Sequence, residues 1–470
     1  MTASALGTPA PRDVVQQKKM RRRQFLFVPS LLAPRLLSGQ TPLSSPVPAH
    51  HEFLVTKFGA LADGRTPDTE PIQKAIDACT AEGGGTVRLP AGRYLSGSLL
   101  LKNNVTLALD RGATLLGSPN PGDYRSIEPF REGTGGELGY ALLGAVDALN
   151  IAIEGAGVID GQGKEVLAAL KPGERSRRPF LIRLVRCVNV KLNGLRLRQS
   201  AVWAVHLSQC HNVAVDRLNI NSHTGPNNDG IDIDSCELVH VSDCDIDTGD
   251  DAICLKTTSR LPCRDVTIVN CRLKSNCAAI KAGTESEGDF DNVRITGCQI
   301  LGARLGGIKL LSVDGARLQN VEIQDVTMLA GHIPIFLRLG GRLKTFRPGD
   351  LKRDIGALHN IMISGFKATA EGPGIVLSGL PGHRIGKVQL TDIDFHLAGA
   401  GTPADASLLL PEAEDAYPEI TMFGPRFPAS LLYARHVEDL EITRLKATYD
   451  EPDERPPQVL IDAERVQTGG

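Results

Sequence analysis

The chain has 470 residues, a formal net charge of −2, 41% hydrophobic residues and 23% charged residues. It lacks the excess of basic residues that non-specific nucleic-acid binding requires, and it is too apolar to be disordered. It contains no run of about 18 apolar residues, so no membrane-spanning helix is predicted. Its 49 glycines and few aromatic residues (4%) indicate a turn-rich β protein rather than several ordinary globular domains.

The first 50 residues differ from the rest of the chain. Three arginines at 21–23 precede a short and mostly apolar stretch at 25–37. This order is typical of an export signal, and the arginines with the following Gln-Phe-Leu are similar to a twin-arginine signal. We therefore predict an export signal and linker over 1–50, a catalytic domain over 51–465, and a periplasmic or extracellular location. A disordered basic tail is the alternative.

A helix is predicted at residues 68–82, where the apolar residues recur at helical spacing and three glycines then end the pattern. Its apolar residues are Ile72, Ala75, Ile76 and Cys79. A stack of repeats must cover its open first unit. We expect this short helix to cap the repeats that follow it.

A short phrase, a polar turn residue followed by alternating apolar and polar residues, recurs every 23 to 28 residues. The residues at its turn position are Asn189, Asn212, Leu238, Asp265, Asn292 and Asn320. The alternation indicates short strands, and Asn favours a left-handed turn. A period in the twenties that is built of strands and turns is the signature of a parallel β-solenoid. The sequence predicts one all-β domain, a parallel β-helix over roughly 53–462.

The ten cysteines fall mostly at positions of this repeat. An exported chain with many cysteines usually forms disulfides. Stacked repeat positions, however, suit a small buried thiol. We expect mostly buried free thiols, with one or two bridges as the alternative.

An isoleucine column aligns the middle rungs and brings acidic residues together. Its members are Ile231, Ile253, Ile280 and Ile308. Asp229 and Asp251 each stand two residues before this column, so they should be stacked neighbours with Asp250 beside them. Lys281 and Lys309 each follow the column by one residue and should stack on the same face.

Three carboxylates at close range repel one another, so such a cluster indicates chemistry rather than stability. A protonated carboxyl can protonate a glycosidic oxygen while an ionised one activates water, as in inverting glycoside hydrolysis. Neighbouring lysines would suit an anionic sugar. Two alternatives stay open at this point, a solvated turn and a calcium site built from Asp229, Asp250 and Asp251. The segment 243–254 does not have the residue pattern of an EF-hand loop.

Several motifs resemble one family nearly end to end. They are residues 58–64, 72–77, 83–87, 155–163 and 200–203, then Asn227-Asn228-Asp229 and Gly249-Asp250-Asp251. On these motifs the chain resembles the polygalacturonases of glycoside hydrolase family 28. The resemblance implies a right-handed parallel β-helix and hydrolysis with inversion. It further implies Asp250 as general acid, Asp229 and Asp251 as activators of water, no metal or cofactor, and a pectic poly- or oligosaccharide as substrate.

Two family motifs are altered. The usual Gly-His-Gly would fall near 277–279, where no His is present, and the usual Arg-Ile-Lys keeps Lys309 but lacks its Arg. Both departures put plain polygalacturonate in doubt as the substrate. We expect Lys309, Lys281 and Asn227 to bind the substrate, with Lys281 supplying a replacement charge. We consider His223 as a substitute for the missing His.

Two other functions stay open. One is a calcium-dependent β-helix polysaccharide lyase, whose activity a chelator would abolish. The other is a non-catalytic carbohydrate-binding β-helix, which would tolerate replacement of the three aspartates. Trp203 suits either core packing or sugar stacking. We expect a monomer, with no nucleic-acid partner and no membrane insertion.

Overall fold

The computed structural model describes residues 51–469, so the predicted export signal lies outside the described residues. Nearly all of the regular structure consists of short strands that pair in parallel with the strands one rung away. A typical rung contains Ile231–Asp234, Glu237–Ser242 and Asp245–Thr248, and each strand pairs with its counterpart in the next rung. The predicted parallel β-helix is confirmed.

The strands form three stacks, numbered here in the order in which a rung passes through them. Sheet 1 contains Leu99–Leu100, Glu137–Val146, Phe180–Val185, Val205–Ser208, Ile231–Asp234, Ile253–Thr257, Ala278–Ser286, Gly306–Ser312, Ile335–Leu339, Ile375–Ser378 and Gln458–Glu464. Sheet 2 contains Glu52–Leu54, Gly85–Leu89, Val105–Leu109, Leu149–Gly155, Val188–Asn193, His211–Asp216, Glu237–Ser242, Cys263–Val269, Phe290–Thr296, Arg317–Gln324, Ala357–Ser364 and Gln467–Gly469. Sheet 3 contains Asp63–Pro67, Gly92–Ser96, Ala113–Gly117, Val158–Asp160, Arg196–Arg198, Asn219–Ser222, Asp245–Thr248, Arg272–Ser275, Gln299–Ala303, Thr327–Met328 and Lys367–Ala370.

Three strands depart from this scheme. Ile385–Leu397 bends from sheet 2 into sheet 3. Leu432–Tyr449 runs through all three sheets. Arg125–Arg131 pairs antiparallel with Glu137–Val146 and forms a hairpin with it. The tip of this hairpin, residues 132–136, is called the hairpin loop below.

A left-handed residue near the start of each sheet 2 strand turns the chain out of sheet 1. All six predicted turn residues have φ between +52° and +59°. Asn tolerates this conformation better than most residues, and its amide can also bond to the rung before it. Asn212 donates to Asn189 at 2.8 Å, and Asn189 donates to Asn150 at 2.8 Å. The repeated turn signal therefore fixes where each rung bends.

The predicted capping helix is present as Thr69–Ala81, and its four predicted apolar residues are fully buried. Gly83, with φ +89°, ends it in a conformation that suits glycine. The other helices are Gly163–Ala169 and Pro403–Ala406, with 3-10 turns at Val55–Phe58, Pro121–Asp123, Arg175–Arg177 and Ile420–Phe423. No helix of residues 51–469 is long and apolar enough to cross a membrane.

The cysteines behave as the repeat predicts. All ten are free thiols, and all except Cys277 are buried. Cys187, Cys210 and Cys236 lie on successive rungs within the main core. They act as small apolar residues where a rung turns, which is why they recur with the period of the repeat.

The outer face of sheet 1 is covered, unlike that of sheet 2. Every residue of Ile253–Thr257 and Gly306–Ser312 is buried, whereas Glu237–Ser242 alternates between buried and exposed. The hairpin packs over the early rungs in an apolar cluster that contains Phe180 and Trp203. The insertion, residues 398–431, packs over the late rungs in a second cluster. The gap between these two covers holds the site described next.

Candidate active site

The predicted stacking of the central rungs is present. Ile231, Ile253, Ile280 and Ile308 pair in register along sheet 1. Asp229 and Asp251 therefore occupy equivalent positions on adjacent rungs, and the amide of Gly230 donates to the Asp251 carbonyl at 2.9 Å. Lys281 and Lys309 pair in register as well.

A small pocket of about 40 Å³ forms around the three predicted catalytic aspartates. Asp229 is only 3% exposed and Asp251 only 1% exposed, while Asp250 is less deeply covered. Lys256 and Lys281 line the same pocket. The sequence-predicted aspartates are thus brought together in a nearly closed space, where charges interact more strongly than they do in water.

Asp251 is the member of the cluster whose pKa is lowered. Burial by itself would raise the pKa of Asp251, but the charges of Lys281 and Lys256 outweigh burial and hold that pKa well below its ordinary value. Lys281 Nζ lies 2.7 Å from the carboxylate, and the amide of Ala278 donates to it at 3.0 Å. Lys281 therefore fixes both the charge and the position of Asp251.

The pKa of Asp250 is shifted in the opposite direction. Burial and the nearby charge of Asp251 raise the pKa of Asp250, and the ammonium of Lys281 only partly opposes the rise. Its Oδ1 accepts a 3.1 Å hydrogen bond from the amide of Asp251. Neighbouring carboxyls with opposite pKa shifts can divide acid and base work between them.

Asp229 lies against a third cation that the sequence analysis missed. Burial and the charge of Asp232 raise the pKa of Asp229, and Lys256, 3.8 Å away, opposes the rise. Lys256 also lies 3.5 Å from Asp232 and 3.2 Å from Glu285. Its Nζ is 4.5 Å from the centroid of the Trp203 ring, where a cation is favoured.

The alternation of side chains between the two faces of a strand could have identified Lys256 from the sequence. Lys256 pairs in register with Asp234, two residues after Asp232 on the same strand. Residues two apart on a strand share a face. The outward-facing residues of sheet 1 form two columns, one that contains Lys281 and one that contains Lys256. Aligning the second column as well as the first would have placed Lys256 beside the aspartates.

Lys309 does not line the pocket with Lys281, although the sequence analysis expected both lysines to bind the substrate. Its side chain is 0% exposed, and its Nζ lies 2.6 and 2.8 Å from the two carboxylate oxygens of Glu419 in the insertion. It is not among the residues that line the pocket. The structure thus brings Lys281 to the aspartates and joins Lys309 to the insertion.

Asn227 lines the pocket, and His223 does not. Asn227 Oδ1 accepts a 2.8 Å hydrogen bond from Arg175. The His223 ring is partly exposed and bonds Asp247 at 2.7 Å, on the sheet 3 side of the rung. No His takes the place of the missing family His among the described lining residues. Lys281 and Lys256 supply the charge next to the aspartates.

Trp203 packs in the core, the first of the two roles considered for it, and it also borders the pocket. It is buried in the cluster under the hairpin, with its ring 5.7 Å from Phe180 and 5.8 Å from Phe130. It also lines the pocket. Its main contact within the protein is therefore core packing, with the cationic Lys256 on the pocket side.

Two distant segments close the pocket. The amide of Gly133 in the hairpin loop donates a 2.7 Å hydrogen bond to Glu285. Thr284 donates to the hydroxyl of Tyr417 in the insertion at 3.2 Å. Both segments line the pocket, although nothing in the local repeat predicts that they do.

Among residues 51–469, one group of side chains could hold a metal ion, namely Asp250, Asp251 and Cys277, whose ligand atoms lie within 4.8 Å of one another. Calcium prefers six to eight oxygen ligands, and a thiol is not among them. Asp251 is already bonded to Lys281. The calcium site considered for the lyase alternative comprised Asp229, Asp250 and Asp251, whereas Asp229 is not a member of this group.

The described residues form a parallel β-helix solenoid whose pocket is lined by paired acidic and basic side chains. The chain belongs to glycosyl hydrolases family 28, whose family model matches residues 86–339, more than half of the chain.

Two curated relatives show how far this similarity extends. A Vitis vinifera protein named "Probable polygalacturonase" is 28% identical over 59% of this chain and 61% of its own length. An exo-poly-alpha-D-galacturonosidase of Dickeya chrysanthemi is 29% identical over 42% of this chain and 41% of its own length. The chain therefore spans less than two thirds of each of these relatives.

A solved structure supports the fold. The family 28 exopolygalacturonase of Yersinia enterocolitica matches 88% of this chain and 78% of its own chain, with a TM-score of 0.67 and 21% identity. Crossovers between parallel strands of one sheet are right-handed in nearly all proteins. The chain is a right-handed parallel β-helix.

Proposed function

We propose that this protein is a glycoside hydrolase that cleaves α-linked, galacturonic-acid-containing pectic poly- or oligosaccharides with inversion. One observation carries the proposal: adjacent aspartates in a single pocket have opposite pKa shifts. Asp250, whose pKa is raised and which is less buried than Asp229, is the general acid that protonates the leaving oxygen, the role that the family resemblance implies. Asp251, held ionised by Lys281, receives a proton from the attacking water.

Asp229 is the second group that positions this water. Its pKa is raised, but the carbonyl oxygen of an uncharged carboxyl still accepts a hydrogen bond, and its buried Oδ1 has no hydrogen-bond partner within residues 51–469. Two acceptors on adjacent rungs, Asp229 and Asp251, can hold one water molecule in a fixed orientation. A fixed orientation lowers the entropic cost of attack.

The closed shape favours action at a chain end. The hairpin loop and Tyr417 both line the pocket, which restricts the space for sugars on either side of the cleaved bond.

Because this chain lacks the Arg of the family motif, other cations must bind the carboxylate of the uronic acid. Lys256 and Lys281 are the cations that line the pocket. We infer that they attract the carboxylate of the substrate while they also hold the acidic cluster. A pectic backbone with alternating or decorated sugars fits this reduced set of cations better than plain polygalacturonate does.

We also infer that the protein is exported and acts as a monomer on its substrate outside the cytoplasm. The export pattern of residues 1–50 supports the location. The cap formed by Thr69–Ala81 supports a self-sufficient solenoid, because it covers the first rungs.

The test is product analysis by NMR after incubation with polygalacturonate, rhamnogalacturonan and short galacturonate oligomers, with and without a chelator. We expect saturated products of inverted anomeric configuration and no effect of chelation. The Asp250→Asn chain should release no product. Unsaturated, chelator-sensitive products would replace this proposal with a lyase. Equal activity of wild type and Asp250→Asn would refute the assignment of the acid.

A further inference from the structure

A groove of about 410 Å³ lies beside the active-site pocket. Seven residues of the segment 167–178 line it together with Pro226, which is next to a pocket residue in the chain. Its volume lies in the range of sites that bind small molecules. We call it the cationic groove, because Lys171, Arg175 and Arg178 line it and no acidic residue of the described chain does.

None of these three cations forms an ion pair within residues 51–469, whereas the neighbouring Arg177 pairs with Glu174 at 3.1 Å. Arg178 is the most deeply placed of the three and is only 4% exposed. Charged side chains that are buried to this extent are nearly always paired. The groove therefore presents positive charge that no carboxylate of the described residues balances at close range.

The guanidinium of Arg178 is fixed by uncharged acceptors. Its Nε donates to the carbonyl of Arg175 at 3.0 Å, and one terminal nitrogen donates to the carbonyl of Pro226 at 2.8 Å. The other terminal nitrogen donates to Asn227 Oδ1 at 3.3 Å. These hydrogen bonds hold the guanidinium in place but do not neutralise its charge.

The pKa of Arg178 shows the same lack of compensation. Burial and the charge of Arg175 lower the pKa of Arg178 to about 10. The charges of Glu132 in the hairpin loop and of Asp229, neither within ion-pair distance, only partly oppose this change. An anion bound beside the two arginines would stabilise the charged form of both.

Arg175 is the cation that can contact a ligand. It is exposed, and its guanidinium makes one hydrogen bond within residues 51–469, to Asn227 Oδ1 at 2.8 Å. Its other N–H groups have no partner among the described residues and can donate to an anion from solvent. Arginine binds carboxylates in this way through short, charge-assisted hydrogen bonds.

Asn227 connects the cationic groove to the active-site pocket, which it lines with Asp229 and Asp250. Its Oδ1 accepts from both Arg175 and Arg178, and because both partners are donors the orientation of the amide is determined. Its Nδ2 donates to no acceptor within residues 51–469. This leaves one fixed donor for a sugar hydroxyl between the two sites.

The segment that carries the arginines is anchored by a different residue. Arg177 pairs with Glu174, donates to the Pro121 carbonyl at 3.5 Å and lies 5.8 Å from the ring centroid of Tyr140 in the hairpin. A binding group that is already held in place loses less entropy when its ligand binds. Replacement of Arg175 should therefore leave the segment in position.

We propose that the cationic groove binds a second carboxylate of the substrate, on a uronic acid unit outside the pocket, with Arg175 as the contacting cation. This proposal rests on the proposed function for the identity of the sugar. Lys256 and Lys281 attract the carboxylate of the sugar inside the pocket, while Arg178 adds charge to the groove and holds Asn227. The groove thereby selects substrates that carry at least two uronic acids.

The experiment measures the Kd of trigalacturonate by isothermal titration calorimetry, with the full-length Asp250→Asn chain so that the probe is not consumed. We expect one molecule bound per chain. Adding Arg175→Gln should weaken binding by about ten- to a hundredfold, because hydrogen bonds between charged groups are lost. The matched control is Arg196→Gln, an exposed arginine of sheet 3 that lines neither site and should leave Kd unchanged.

A second variant separates charge from structure. Arg175→Lys keeps the charge and should bind with intermediate affinity. A loss as large as that of Arg175→Gln would overturn the role of charge, and circular dichroism verifies that both variants fold.

Three further results would overturn the proposal: no binding of trigalacturonate, equal binding of neutral galactotriose, or equal Kd for Arg175→Gln and Arg196→Gln. Hydrolysis by the chain with Asp250 intact is measured separately. Weaker binding by Arg175→Gln without any hydrolysis by the wild type would keep the cationic groove and refute only the proposed function.

Discussion

Lys281 donates a 2.7 Å hydrogen bond to Asp251 from the next rung of sheet 1, and both side chains are almost fully buried. A buried lysine and carboxylate at this distance stabilise one another's charge. This ion pair lowers the pKa of Asp251 relative to that of its neighbour Asp250. The parallel register of the β-helix thus creates the difference between acid and base on which the proposed chemistry depends.

Replacement of Lys281 tests this relationship. In Lys281→Met we expect the acidic limb of the pH–rate profile to move up by about one to three units, because an opposite charge at this range lowers the pKa of a carboxylate by that amount. The measurement is kcat/KM against pH on the same substrate. Lys274→Met, an exposed lysine of sheet 3, is the control. A rise in KM with an unmoved profile would instead indicate that Lys281 acts only by binding the substrate.

The wild-type pH profile follows from the two aspartates. Activity requires protonated Asp250 and ionised Asp251. It should fall as pH rises through the elevated pKa of Asp250, and it should fall again at low pH, where Asp251 becomes protonated. Because the pKa of Asp251 is lowered, activity should persist to more acidic pH than a free aspartate would allow. A profile that rises steadily into the alkaline range would contradict these roles.

Lys256 is predicted to be essential for stability as well as for activity. Its removal leaves Asp229, Asp232 and Glu285 buried without their shared cation. Losing one partner of a buried ionic cluster costs about 3–5 kcal/mol. We expect Lys256→Met to lower Tm at neutral pH, and the loss should shrink toward acidic pH, where the carboxyls are protonated. An equal loss of Tm at all pH values would attribute the effect to packing on Trp203 instead.

The Lys309–Glu419 pair is predicted to hold the insertion on sheet 1. Glu419→Gln should destabilise the protein by about 3 kcal/mol, because it leaves the fully buried charge of Lys309 unpaired, and Lys309→Met should cost less, because the Glu419 side chain is 16% exposed. The double variant should recover much of this loss, which a double-mutant cycle of thermal unfolding measures. A large rise in KM for Lys309→Met without any change in Tm would show that Lys309 binds the substrate.

Much of the fold could be predicted because the repeat is local. A turn residue such as Asn212 and the alternation that follows it determine one corner and one strand, and the next rung repeats them. The isoleucine column then sets the register along the stack, so the neighbours Asp229 and Asp251 could be predicted without the structure. The helix Thr69–Ala81 and the buried thiols follow from the same short-range patterns.

What covers the site could not be predicted in this way. Gly133 reaches Glu285 across 152 residues of sequence, and Lys309 reaches Glu419 across 110 residues. No periodic signal connects segments so far apart, because the hairpin and the insertion each occur only once. His223 was considered for the site from its closeness to Asp229 along the chain, but its ring points to Asp247 on another sheet.

The sequence by itself therefore determined the solenoid, its register and the identity of the three clustered aspartates. Only the tertiary structure decided their environment: which lysines neutralise them, how deeply they are buried and that the pocket is closed. The physical reason is that strand register depends on the spacing of neighbouring residues, whereas burial and pKa depend on every group within a few ångströms. At this site many of those groups come from distant parts of the chain.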